Sequence, residues 1–261
     1  MSIPLTPTVV TLVVVVFLLA GAINGLAGFG FALVGTMALA VSIDPAVAVV
    51  FVVVPILAVN LSLVGELSGS DLRTCGRRFA PLLAAALVGT VLGMAVIDRL
   101  PAAPLRVGLG LVTLAFVLSL QSAVPIPGLD RAKEGCFAET TPAMLGIGVV
   151  SGLLFGGTNV GVQLVAYLRS CDLSHGLFVG VVAMVFVGLN AVRVAAAGVL
   201  GLYPDPATVG LSVAAAVPAV VGVAVGRRLR DVISERARNG GVMALLTVIG
   251  LRLVAGGLGL F

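Results

Sequence analysis

The sequence predicts an all-α, polytopic membrane protein. Of its 261 residues, 60% are hydrophobic and only 10% are charged, and long apolar runs recur along the whole chain. Soluble domains carry about 25% charged residues, whereas a helix needs about 20 apolar residues to cross the roughly 30 Å hydrocarbon layer of a bilayer. No soluble domain is left over, so we expect membrane lipid, and no nucleic acid, as the surroundings of the chain.

Polar clusters divide the chain into ten hydrophobic blocks, five in each half. The blocks of the first half are 8–24, 27–43, 46–65, 79–97 and 105–121. The blocks of the second half are 143–155, 157–170, 175–200, 207–226 and 241–260. This order predicts a first membrane repeat at 1–121, a cytoplasmic linker at 122–142 and a second membrane repeat at 143–261.

Single residues also match between the halves. The matched pairs are Gly25 with Gly152, Gly30 with Gly157, Asp44 with Asp172, Gly93 with Gly222 and Arg99 with Arg228. Asp44 precedes Pro45, as a helix N-cap followed by proline at the first helical position. We therefore expect two copies of one unit.

Basic residues indicate that the two copies are inverted. The loop after the third block carries Arg73, Arg77 and Arg78, whereas its counterpart at 202–206 has no basic residue. The loop after the fourth block has few arginines, whereas its counterpart at 227–240 has five. Because arginine and lysine are retained on the cytoplasmic side, equivalent loops lie on opposite sides of the membrane. This threading places both termini outside.

The stretch "GLLFGGTNVG" at 152–161 interrupts the apolar pattern with glycines, a threonine and an asparagine. Each glycine inside a helix costs about 0.5–1 kcal/mol relative to alanine, and blocks 143–155 and 157–170 would be only about 20 Å long as helices. We therefore expect a re-entrant hairpin or two half-helices with its tip at 156–159. The matching tip in the first half is 24–30. Close helix packing through small residues is the alternative explanation for these glycines.

At such tips, backbone N–H groups at helix starts form an anion site, which side-chain amides complete. Asn60 and Asn190 lie inside the third block of each repeat, where they bind substrate or bridge helices. Arg193 lies one turn beyond Asn190 and either contacts the anion or extends to the membrane surface. The predicted substrate-binding residues are Asn24, Gly25, Gly28, Phe29, Gly30, Asn60, Gly156, Gly157, Thr158, Asn159, Gln163, Asn190 and Arg193.

The positions of the acidic residues in the sequence favour an anionic substrate. All of them lie in predicted loops or at helix ends, whereas cation carriers and proton pumps place a carboxylate on the pathway. With an inside-negative potential, export of one negative charge releases about 2.3 kcal/mol per 100 mV, so export needs no coupling ion. We expect no cofactor and no metal. An intramembrane enzyme is disfavoured because the single histidine, His175, lies in a predicted loop and no serine-nucleophile motif occurs.

The motifs resemble the TauE/SafE (sulfite exporter) family over nearly the whole chain. The resemblance is carried by "INGLAGFGFALV" and "IDPAVAVVFVVVPILAVNLSLVGEL", and again by "VSGLLFGGTNVGVQLVAYL" and "CDLSHGLFVGVVAMVFVGLNAVRV". It implies a bacterial or archaeal inner-membrane transporter, an exporter of sulfite or of an organosulfonate such as sulfoacetate. It also implies that the family's glycine-rich segments fall on 25–30 and 152–157. Phe29 and Phe31 stand where many members have further glycines, which changes the expected pocket.

Two other arrangements stay open from the sequence. An anion channel, or a permease of the same fold for a different small anion, would use the same tips. A purely structural membrane subunit would need no polar tips. Glycine-rich faces on the fourth blocks, at 89–93 and 222–226, pack either within one chain or between two chains, so a homodimer is compatible with the sequence.

Overall fold

The computed structural model describes residues 7–40, 43–65, 67–97, 101–120, 140–159, 161–169, 171, 173–230 and 232–259. Within these ranges it contains eleven helices and no strand, which confirms the all-α prediction. The helices are α1 (Pro7–Ala27), α2 (Phe31–Ala40), α3 (Pro45–Val64), α4 (Gly69–Arg78), α5 (Ala80–Ile97), α6 (Ala102–Leu120), α7 (Thr141–Thr158), α8 (Val162–Arg169), α9 (His175–Val199), α10 (Pro206–Leu229) and α11 (Glu235–Gly257). The predicted linker at 122–142 lies largely outside the described residues.

Five of the described helices, α1, α3, α7, α9 and α10, are long and apolar enough to cross a membrane. The pair α4 and α5, bent by 71°, is a sixth if it counts as one span. Helices α2 and α8 have 10 and 8 residues, about 15 and 12 Å at 1.5 Å per residue, and are too short to cross alone. The chain is therefore a multi-pass membrane protein with short helices beside its spans.

Helix packing repeats between the two halves. α1 packs against α10 and α7 packs against α5, while α3 packs against α9 and α6 against α11. The short helices follow the same rule, since α2 contacts α1 and α3, and α8 contacts α7 and α9. This pattern agrees with the predicted duplication. The opposite orientation of the halves in a membrane stays a prediction.

Glycines bring two of these helix pairs into backbone contact. A Cβ on Gly21 would lie 2.1 Å from the carbonyl oxygen of Ala219, and one on Gly152 would lie 2.1 Å from that of Ala86. Gly222 and Gly89 approach the carbonyl oxygens of Leu18 and Val149 in the same way. The glycine faces of α5 and α10 are therefore used within one chain.

These contacts correct the predicted register between the halves. Gly21 occupies the place of Gly152, and Gly25 that of Gly156, because each pair meets equivalent carbonyls on the partner helix. The predicted pairs Gly25 with Gly152 and Gly93 with Gly222 were therefore wrong by about one helical turn. Repeated Gly-xxx-Gly spacing made the wrong register look equally good in the sequence.

Helix starts follow capping rules. Asp44 caps α3, accepting from the N–H of Ala46 at 2.9 Å, as predicted. In the second half the N-cap of α9 is Ser174, while Asp172 lies outside the described residues. Ser68 and Asp71 form a capping box that starts α4, a helix that was expected to be a polar loop.

Helices α3 and α9 form the centre of the molecule. In each of them 61% of the spanning stretch is buried, against 33–39% in α1, α7 and α10. Phe17 of α1 packs on Phe31 and Phe51, with ring centres 5.4 and 5.9 Å away. The short helices α2 and α8 lie against this central pair.

Replacing Gly222 by leucine should destabilise the protein. The new Cβ would lie 2.2 Å from the carbonyl oxygen of Leu18, so α1 and α10 must separate, and overpacking costs about 1–3 kcal/mol or more. We expect the unfolding temperature to fall by several degrees when it is measured in detergent by size-exclusion chromatography of heated samples. Gly210→Leu on the same helix is the control, because no atom lies within 4 Å of a Cβ at Gly210. Equal losses in both variants would contradict this packing.

Candidate functional site

The first helix break lies between α1 and α2. Gly28 and Gly30 have φ angles of +82° and +110°, conformations that glycine adopts without steric strain. The side chain of Asn24 bridges the break, because its Oδ1 accepts from the backbone N–H of Phe31 at 3.0 Å. On the other side of the break, the N–H of Val34 donates to the carbonyl of Gly30 at 2.9 Å. The break is thus held by an asparagine and shaped by two glycines.

The second break lies between α7 and α8. Asn159 has a φ angle of +61° and is the single described non-glycine residue with positive φ. Its Nδ2 donates to Thr36 Oγ1 at 2.7 Å and to the carbonyl of Val49 at 2.9 Å. Asn159 is fully buried. This one side chain therefore ties the second break to α2 and α3 of the first half.

Both breaks line one partly open cavity of about 40 Å³. A water molecule needs about 10–15 Å³ of such space, so the cavity has room for about three waters. It lies near the middle of the two central helices, since Ile56 of α3 and Phe186 of α9 are on its wall. The lining residues are Asn24, Gly28, Phe29, Gly30, Phe31, Ala32, Leu33, Ile56, Asn60, Phe155, Asn159, Gly161, Val165 and Phe186.

The described residues of the cavity wall are apolar with a few amide groups, and none of them has an ionisable side chain. Within the described part of the chain, Asn24 Nδ2 and Asn159 Oδ1 have no hydrogen-bond partner. Buried polar atoms are normally bonded, so these two atoms are available to a guest. Ala32 and Leu33, in the first turn of α2, are also on the wall. N–H groups in a first helical turn have no partner within the helix and attract negative charge.

Six of the predicted site residues line this cavity: Asn24, Gly28, Phe29, Gly30, Asn60 and Asn159. The predicted tips began too early, since Asn24 and Gly25 still belong to α1, and Gly156, Gly157 and Thr158 to α7. A Cβ on Gly25 would lie 2.3 Å from the Val223 carbonyl oxygen, and one on Gly156 lies 2.2 Å from that of Thr90. These two glycines therefore pack helices, and Thr158 Oγ1 donates within α7 to Leu154.

The remaining three predicted residues lie outside the cavity wall. Gln163 is half-buried, and its Oε1 has no partner among the described residues. Asn190 Nδ2 donates to the Phe186 carbonyl at 2.7 Å, as Asn60 Nδ2 does to the Ile56 carbonyl at 2.8 Å. Arg193 is fully buried, with its guanidinium carbon 4.7 Å from the ring centre of Phe155.

Eight residues of the cavity wall were not among the predicted site residues: Phe31, Ala32, Leu33, Ile56, Phe155, Gly161, Val165 and Phe186. Thr36, which bonds to Asn159, was missed as well. A signal for Gly161 was present, because Asn159-Val-Gly161 matches Gly28-Phe-Gly30 once the register is shifted by one turn. Each segment leads into a short helix. At the start of these helices the N–H of Val34 donates to the carbonyl of Gly30, and the N–H of Val165 donates to the carbonyl of Gly161. The aromatic residues and Thr36 have no comparable signal, because apolar and small polar residues occur throughout the chain.

The fold and this cavity define a class of protein. Several apolar spans, two broken helices and a small guest-sized cavity between them are typical of membrane transporters. The chain belongs to the sulfite exporter TauE/SafE family, whose sequence model matches residues 13–253, nearly the whole chain. This is a family of membrane transporters and not of enzymes. No curated protein sequence and no solved structure gives a significant match to the chain.

Asn159→Ala should weaken the connection between the two halves. The substitution removes two buried hydrogen bonds, worth about 1 kcal/mol each, and places alanine at a positive φ. Asn159→Gly removes the same bonds without the backbone strain. We expect the unfolding temperature in detergent to fall in the order wild type, glycine variant, alanine variant.

Thr36→Val serves as the matched control for Asn159. It removes one acceptor and leaves the carbonyl of Val49 in place, so its loss of unfolding temperature should be smaller than that of either Asn159 variant. An alanine variant as stable as the wild type would show that Asn159 does not hold the second break.

Proposed function

We propose that this protein exports a small sulfur oxyanion across a bacterial or archaeal inner membrane and holds it between the two helix breaks. The observation that carries the proposal is the cavity between the two breaks, in which Asn24 keeps an unpartnered amide donor, Nδ2, beside the first turn of α2. The family supports the direction and the class of substrate.

The chemistry of the cavity favours an anion. Asn24 Nδ2 is a free donor and Asn60 is on the wall, while the first turn of α2 adds backbone N–H groups and the positive end of a helix dipole. Among the described residues of this wall there is no carboxylate to repel an anion. The aromatic rings of Phe29, Phe155 and Phe186 exclude water, which strengthens hydrogen bonds to a charged guest.

The volume of the cavity suits a small oxyanion such as sulfite. About 40 Å³ is room for about three waters, which suits one sulfur atom with three oxygens. Sulfoacetate carries two further carbon atoms and a carboxylate, so it requires an opened form of the same cavity. Phe29 and Phe31 reduce the space, because both side chains are on the wall.

Hydrogen bonds between helix ends support the predicted orientation. Arg227 Nη1, in the last turn of α10, donates to the carbonyl of Ser62 near the end of α3 at 3.4 Å. The arginines of α10 and those of α4, which follows α3, therefore belong to the same end of the molecule. Two basic clusters at one end favour the cytoplasmic side for that end, with both termini outside. The inverted orientation of the repeats follows from this assignment.

Flux measurements separate a carrier from a channel. A carrier that exposes the cavity to one side at a time saturates with substrate and shows counterflow, whereas an anion channel of the same fold does not. We expect saturable efflux of ³⁵S-labelled sulfite from proteoliposomes, accelerated by unlabelled sulfite on the opposite side. An inside-negative potential should speed efflux, since about 2.3 kcal/mol per 100 mV is released for each negative charge.

Asn60→Leu should reduce sulfite efflux at least tenfold, because it replaces an amide on the cavity wall by an apolar group of similar size. Ser62→Ala on the same helix is the control, since Ser62 is not on the wall and its hydroxyl bonds only within α3. Efflux should be measured at saturating and at low sulfite, with folding checked by chromatography. Equal efflux from wild type and Asn60→Leu would contradict the proposed site.

A further inference from the structure

Arg193 is a positive charge in the interior of the protein. Its side chain is fully buried, seven residues beyond Phe186 on α9, which is about 10 Å along the helix axis. Nη1 donates to Asn190 Oδ1 at 3.2 Å. Nε and Nη2 have no hydrogen-bond partner in the described part of the chain. These two nitrogens form one edge of the guanidinium group, the edge that binds an oxyanion through two parallel hydrogen bonds.

The described residues around Arg193 attract its charge without neutralising it. The guanidinium lies over the ring of Phe155, and an aromatic face attracts a cation. Asn190 offers an amide oxygen, which is neutral. The acidic side chains that the structure describes are bonded at helix starts: Asp44 on α3, Asp71 on α4 and Asp205 on α10. An uncompensated charge at membrane depth is expensive, and such residues usually serve a ligand or an ion pathway.

Two aromatic rings separate Arg193 from the central cavity. Phe155 and Phe186 are on the cavity wall with ring centres 5.0 Å apart. Arg193 lies against Phe155, and Asn190 bonds to the backbone of Phe186. Phe155 therefore lies between the guanidinium and the cavity, with Phe186 packed beside it, and Arg193 lies further towards the α9 C-terminus than Phe186.

The first half has no such charge. Asn60 matches Asn190, since both donate to the carbonyl four residues earlier, and three residues further on Leu63 stands where Arg193 stands in the second half. Leu63 is fully buried. The charge is therefore present at one end of the cavity, towards the loop 200–205 and away from the basic ends of α4 and α10.

We propose that Arg193 and Asn190 form a second anion site, separated from the central cavity by Phe155 and Phe186. A sulfur oxyanion leaving the cavity towards the loop 200–205 binds there, with two of its oxygens on Nε and Nη2 of Arg193. Phe155 is the gate between the sites, because its ring contacts the cavity on one side and the guanidinium on the other. This inference rests on the proposed function and adds a place on the exit path.

The number of bound anions tests this second site. Equilibrium dialysis of the full-length protein in detergent against ³⁵S-labelled sulfite, under nitrogen, should give two anions per chain for the wild type. Arg193→Gln should bind one and reduce sulfite efflux from proteoliposomes at least tenfold. Arg193→Leu is a second variant that carries the residue found at the equivalent place in the first half. If Arg193→Leu still binds one anion per chain, its fold and its central cavity are intact.

Arg252→Gln is the matched control. Arg252 also lies within an apolar helix, α11, but its side chain is exposed on the surface, so this variant should bind two anions and transport at the rate of the wild type. One anion in the wild type, with binding and efflux unchanged in Arg193→Gln, would overturn the second site and leave the proposed function standing. Loss of both anions in both Arg193 variants would place Arg193 in the central site. A wild type that neither binds nor transports sulfite would overturn both proposals.

Discussion

Two interrupted helices impose the main physical constraint on this protein. In hydrocarbon every backbone N–H and C=O group needs a partner within the protein, and a helix that stops at membrane depth leaves several without one. At the first break, the side chain of Asn24 supplies one such partner, because it accepts a hydrogen bond from the backbone N–H of Phe31. At the second break, Asn159 does not pair a backbone group of the break but fastens it to the first half, by donating to the Thr36 hydroxyl and the Val49 carbonyl. The breaks must therefore be enclosed by other helices.

The glycine contacts follow from this need for enclosure. α1 and α7 carry the breaks, and each is pressed against a long partner, α10 or α5, at backbone-to-backbone distance. Van der Waals packing of this kind is a main source of helix association in lipid. Arg230 adds a bond from its Nε to the carbonyl of Gly25 at 3.0 Å, near the end of α1. The short helices α2 and α8 can then lie against the buried pair α3 and α9.

The sequence was sufficient for the all-α membrane class, because composition and long apolar runs depend on the bilayer alone. It was not sufficient for the ends of α1 and α7. Glycine disfavours a helix, so Gly156 and Gly157 were read as the tip, yet α7 continues through Thr158. Packing against Thr90 and Gly93 offsets the cost of these glycines. The sequence of one helix does not show which distant segment packs against it. The helix α4 was missed because it is short and most of its residues are polar or glycine, a composition typical of a loop.

The two halves share a scaffold but differ in the polar groups they contribute. Gly28 and Asn159 occupy equivalent places at the two breaks, Asn24 is matched by Phe155, and Leu63 by Arg193. A transporter that exposes one site to either side in turn needs a symmetric scaffold, because the two states then have similar energies. The direction of net movement is set by the electrochemical gradient of the anion. In the proposed mechanism, the single guanidinium beyond one end of the neutral cavity changes how strongly an anion is held on the exit side, which affects the rate of export and not its direction.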